Sequence, residues 1–191
     1  STFAGKRKRA RTAMLRVANC LLGTELNEDT LIVGTSGRYE FKNKGIDVFL
    51  EALHRLDSDG HLNKQILAFI AVPAWVKEPR KDLQERLKSR AAFDSPLETP
   101  FITHWLNNME HDQVLGLIKY LGISNRKEDK VKVIFVPCYL DGKDGIFNKQ
   151  YYDLLLGEDL SIYPSYYEPW GYTPLESIAF SVPTVTTDLA G

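Results

Sequence analysis

Residues 161–191 read SIYPSYYEPWGYTPLESIAFSVPTVTTDLAG, and the reading of this stretch sets the fold class. Its pattern predicts a strand, a tight loop, a helix and a second strand. Ile162 and Tyr163 close an apolar run that begins near Leu160. Pro164 stops ladder pairing, because it has no N–H to donate. Gly171 lets the backbone turn within a polar and aromatic loop. Thr173 is a suitable N-cap, Pro174 suits the first helical position, and Glu176 falls at the third. A helix that starts behind a strand points unpaired N–H groups and a positive dipole end at the space above the sheet, which suits a phosphate. Glu168 and Glu176 bracket the turn, eight positions apart. Carboxylates there are poorly placed to hold phosphate but well placed to accept hydrogen bonds from sugar hydroxyls. Thr173-x-x-Glu176 also fits a capping box, so Glu176 has two readings, helix cap and ligand contact.

Working back along the chain, the same strand–loop–helix unit recurs. Residues 31–36, LIVGTS, form an apolar run of buried-strand type. The loop after it carries Arg38 and Lys44, and Ile46, Phe49, Leu50, Leu53 and Leu56 then recur at helical spacing. Residues 65–72, QILAFIAV, and 131–136, VKVIFV, are two more strands, each closed by a proline. Tyr139 lies in the loop after the second of these, and Tyr151 opens a short helix. Residues 6–22 predict a helix with one apolar and one basic face, the basic face being solvated. Residues 77–90 predict a charged helix and 110–121 another. The span from Trp75 to Asn125 exceeds a normal strand–helix connection, so it is read as a helical insertion. Alternating strands and helices, with strands apolar on both faces, indicate an α/β fold: a doubly wound parallel sheet of about five strands.

Composition narrows the classes. The 191 residues are 43% hydrophobic and 26% charged, with a net charge of −1, which calls for neither nucleic acid nor an anionic membrane. No apolar run approaches the roughly 20 residues of a membrane span. The two cysteines, Cys20 and Cys138, are too few for a disulfide framework and fit a reducing, cytoplasmic setting. The four histidines show no zinc-ligand spacing, so no metal is assigned. No GxGxxG or Walker match is present.

The string PSYYEPWGYTPLE resembles the glycogen synthases of the animal and fungal type, and its EPWGYTPLE portion is similar to the E-x7-E element of retaining GT-B glycosyltransferases. GRYEFKNKG, residues 37–45, resembles a second element of the same enzymes. The resemblance runs from about Cys20 to Gly191. It implies a Rossmann-like GT-B C-terminal domain, with residues 1–191 a single nucleotide-sugar-binding unit, an insertion at about 75–125, and a partner N-terminal domain outside this chain. It implies transfer of glucose from UDP- or ADP-glucose to the non-reducing end of an α-1,4-glucan, with retention and without a cofactor. The chain alone is expected to turn nothing over.

The same resemblance distributes the roles. Arg38 and Lys44 would hold the diphosphate and stabilise the leaving group. Glu168 would contact the donor glucose, and Glu176 the ribose. Gly171, Tyr172 and Thr173 would border the phosphates, and Tyr139 and Tyr151 would sandwich the base. The insertion mediates assembly in that family and is short here, which leaves a homo-oligomer open. The competing reading is a non-catalytic nucleotide-sugar or glucan-binding or assembly module. Arg38, Lys44, Glu168 and Glu176 together favour the enzyme, since a scaffold would not require all four.

Overall fold

The computed structural model describes residues 2–39 and 45–162. Four strands form one parallel sheet: β1 (Leu31–Ser36), β2 (Ile66–Ala71), β5 (Val131–Val136) and β6 (Leu160–Ile162), in the order β5-β2-β1-β6. A second, antiparallel pair joins β3 (Val76–Pro79) to β4 (His104–Leu106). The helices are α1 (Phe3–Leu22), α2 (Ile46–Asp57), α3 (Lys81–Lys88), α4 (Gln113–Leu121) and α5 (Tyr151–Leu155).

The unbroken apolar runs of the strands follow from cover on both faces. In β2, Ile66, Ala68 and Ile70 pack toward α2 and α4, with Phe49, Leu50, Val114 and Ile118. Leu67 and Phe69 point the other way, toward Met14, Leu21, Leu22 and Leu154 on α1 and α5. From β1 the chain advances through β2 to β5 in one direction. It then returns to place β6 on the other side of β1. The order therefore reverses between β1 and β6, the crevice where doubly wound sheets bind ligands.

The span between Trp75 and Asn125 is more than a helical excursion. It carries α3 and α4 but also β3 and β4, and α4 serves as the crossover helix packed beside α2. The helix expected over 77–90 begins only at Lys81, because Pro79 offers no N–H and Val76–Pro79 pairs with His104–Leu106 instead. Arg80 ties this span together from within. It is wholly buried, donates to the carbonyl oxygens of Thr99 (2.7 Å), Ile102 (3.1 Å) and Glu98 (2.5 Å), and pairs with Asp82 at 2.9 Å. Its guanidinium also lies 4.2 Å from the centre of the Trp105 ring.

The basic face of α1 departs from the solvated reading. Arg7 donates to the carbonyl oxygens of Leu156 and Glu158 and reaches Asp159 Oδ1 at 2.6 Å. Arg11 is buried, donates to the carbonyls of Gly157 and Thr30, and meets Asp159 Oδ2 at 2.9 Å. Arg16 donates to the carbonyl oxygens of Arg86 and Ser89. Three of these cations thus serve as struts between α1 and distant backbone, while Lys6, Lys8 and Arg9 stay exposed. No helix among the described residues is long and apolar enough to cross a membrane.

Candidate functional site

A pocket of about 660 Å³ opens at the carboxyl ends of the strands. Arg38, Tyr139 and Tyr151, three residues singled out from sequence, all line it, beside Ser36, Asp141 and Gln150. They come from three separate segments: the turn after β1, the turn after β5, and the first residue of α5. A second cavity of about 350 Å³ lies at the opposite, amino end of the sheet, near Thr30, Gln65 and Lys132. Topology decides between the two, because sheets of this kind present their ligand loops at the carboxyl end.

Several lining residues are held by identifiable contacts. Gly37 has φ 131°, a conformation that a side chain would oppose, and this lets β1 turn sharply into Arg38. Arg38 and Tyr139 are exposed, Tyr139 at 77%. Tyr151 is half-buried, and its hydroxyl lies 2.5 Å from Ser36 Oγ, which couples α5 to the end of β1. The loop between residues 141 and 150 is closed at its neck: Asp141 bridges Gln150, and the Tyr151 N–H donates to the Leu140 carbonyl at 2.9 Å. Inside that loop Asp144 accepts from the N–H groups of Ile146, Phe147 and Asn148.

Tyr39, to which sequence reasoning assigned no role, anchors the loop after β1. Its hydroxyl donates to Asp112 Oδ1 at 2.7 Å and accepts from the Val114 N–H at 3.0 Å, and its ring meets Phe135 edge-on. Burial, then the Asp112 carboxylate, pushes the Tyr39 phenol well above its usual range, so it stays a neutral hydrogen-bonding group. Asp112 also caps α4 through the Leu115 N–H. No local spacing signals this, because Asp112 lies 73 positions away.

Behind the pocket sits an acid that the sequence reading also missed. Part of Glu158 reaches the surface, yet its carboxyl lies against the backbone of Gly34, where a Cβ would meet Oε2 at 2.2 Å. Ser161 Oγ donates to Oε2 at 3.3 Å. Burial pushes this carboxyl up to about 8, with the Asp159 charge adding to the effect and the Ser161 hydrogen bond opposing it. On the pocket wall, burial and then the charges of Asp144 and Asp141 push the Cys138 thiol up to about 12. A thiol held so far up is no ready nucleophile.

Lys44, Glu168, Gly171, Tyr172, Thr173 and Glu176 lie outside the described residues. Of the flanking residues, Gly45 is the N-cap of α2, and β6 ends at Ile162 beside Thr35 of β1.

Comparison with known proteins follows the same lines. A family model described as "Glycogen synthase" matches residues 22–99 and 89–191. The chain is similar to "Glycogen [starch] synthase" of Neurospora crassa, 31% identical over 86% of this chain and 31% of that protein. It is 32% identical to the human "Glycogen [starch] synthase, liver", over 86% of this chain and 30% of the relative. For the Caenorhabditis elegans "Glycogen [starch] synthase" the values are 31%, 86% and 32%.

Proposed function

The chain belongs to the glycogen synthase family, and from that premise we propose that it is the donor-binding half of a retaining glucosyltransferase. The chain spans about 30% of the length of the curated relatives it matches. In this reading the donor is UDP- or ADP-glucose, the acceptor is the non-reducing end of an α-1,4-glucan, and a second α/β domain completes the cleft. The supporting observation is the convergence of Arg38, Tyr139 and Tyr151 on one pocket at the carboxyl ends of β1, β2 and β5.

The chemistry assigned to each residue follows from what the reaction develops. Breaking the sugar–nucleotide bond leaves negative charge on a diphosphate, and fixed cations lower the barrier where that charge grows. Arg38 offers a planar fork for two oxygens and Lys44 a point charge. Glu168 would steady the donor glucose, and Glu176 the ribose or its own helix. The Gly171-Tyr172-Thr173 turn would present N–H groups to phosphate. Tyr139 and Tyr151 would clasp the base by their faces, a contact that tolerates uracil and adenine alike. The Ser36 hydroxyl, through its bond to Tyr151, sets the angle of that ring.

Calorimetric titration with UDP, ADP and their glucose conjugates tests the proposal. Arg38→Ala is expected to weaken binding at least tenfold with unchanged melting, since the residue is exposed. Equal binding by this variant and its parent would sink the assignment of Arg38.

A further inference from the structure

We propose that His104, Cys138 and Asp144 form a buried site for one zinc-type dication beneath the pocket. The three come from separate segments: β4, the exit of β5, and the loop between residues 141 and 150. Each offers one ligand atom, and these atoms all lie within 4.8 Å of one another. Cys138 Sγ is 3.5 Å from His104 Nε2, and His104 Nε2 is 3.5 Å from Asp144 Oδ2. Tetrahedral zinc with ordinary bond lengths requires sulfur–nitrogen and nitrogen–oxygen edges of ~3.6 and ~3.4 Å. Two of the three edges match one coordination sphere, and the third, from Sγ to the Asp144 carboxylate, closes from within 4.8 Å as the ion binds. A mixed sulfur, nitrogen and oxygen set suits zinc over magnesium or calcium, which take oxygen.

The surroundings hold the ligands in place. The His104 and Asp144 side chains are 2% and 0% exposed, and Cys138 is 8% exposed. Thr103 Oγ1 lies 2.7 Å from His104 Nδ1 and can accept its hydrogen, the tautomer that leaves Nε2 as a ligand. The Asp144 carboxylate is fixed by three N–H donors, the kind of outer contact that orients metal-ligating acids. Without an ion the same groups make a plain hydrogen-bond cluster, with His104 Nε2 2.9 Å from the Asp144 carbonyl oxygen. On binding, the ring hydrogen that Nε2 gives to the Asp144 carbonyl shifts to Nδ1, where Thr103 Oγ1 accepts it, so that the dication takes the freed Nε2 lone pair while the thiol proton leaves to solvent. The fourth position falls to water, because Cys138 lines the pocket wall.

The sequence search for paired ligands could not find this site, since His104 and Cys138 stand 34 positions apart. The ion would fasten the exit of β5 to β4 and to the loop that ends at Tyr151. It would therefore fix the floor on which Tyr139 and Tyr151 stand. The inference does not depend on the donor reading, because its test measures the ion itself.

The purified protein, stripped with chelator and dialysed, is titrated with Zn²⁺ and separately with Co²⁺. Expected are one tightly held ion per chain, a thiolate-to-cobalt charge-transfer band, tetrahedral d–d bands, and a rise in Tm with Zn²⁺. Cys138→Ser keeps size and hydrogen bonding, and should abolish the charge-transfer band. Both Cys138→Ser and His104→Asn should weaken binding by roughly tenfold or more, while exposed His111→Ala should not. The proposal is overturned by no stoichiometric uptake, by a cobalt spectrum without the thiolate band, or by parent-like affinity in Cys138→Ser. If Asp144→Asn fails to fold, these two milder variants decide alone.

Discussion

Replacing Glu158 by glutamine isolates what one buried carboxyl contributes to stability. In the folded chain burial pushes this acid from 4.5 up to about 8. Between those values the unfolded chain has released the proton while the folded chain retains it. The folded state binds more protons there, so stability falls as pH rises, by ~1.4 kcal/mol per pH unit. Over the range from about pH 5 to about pH 9 the loss amounts to roughly 4 kcal/mol, nearly all of it below pH 8. Glutamine copies the neutral acid's shape and can still accept the Ser161 hydrogen bond, but it does not titrate. Urea denaturation of both proteins across that range, read as a difference, cancels every other group. The wild type should lose roughly 4 kcal/mol relative to Glu158→Gln on going to alkaline pH. A difference that stays flat within about 1 kcal/mol, or that slopes the other way, would refute the burial argument.

Other perturbations test the remaining contacts. Arg80→Met leaves three carbonyl oxygens and Asp82 without their donor, and is expected to lower stability by about 3 kcal/mol, read from the urea midpoint. Tyr151→Phe keeps the ring but removes the bond to Ser36, so nucleotide affinity should fall by ~3-fold to ~10-fold with little change in melting, measured by calorimetry. Asp159→Ala strands Arg7 and Arg11 and the Ile32 N–H, and should cost about 3 kcal/mol by the same urea assay.

What the sequence disclosed follows from how local each signal is. The runs 31–36, 66–71 and 131–136 read as strands because both sheet faces are covered, which leaves no polar alternation to confuse them. The Ile46 helix announced itself through one apolar stripe. The strands VKEP and HWL stayed hidden, being short and partly polar and pairing only with each other. The arginines of α1 looked like a solvated face because their acceptors are mostly distant carbonyl oxygens, which composition does not reveal. Within the pocket, Arg38, Tyr139 and Tyr151 were legible through motif resemblance. Tyr39 and Glu158 act through partners that only folding brings near, and no spacing rule points to them.

The struts between α1 and Asp159 span about 150 positions of chain. The helix is therefore made well before the acceptors at residues 156–159 that it needs. Until then Arg7 lacks these acceptors and Arg11 keeps only those at Glu28 and Thr30, while among the described residues β6 pairs with β1 alone. Closure of such a long circuit is an unfavourable early event, so it belongs to the final phase of assembly. Removing residues 1–12 should then be felt some 150 positions downstream, as loosened register between β6 and β1.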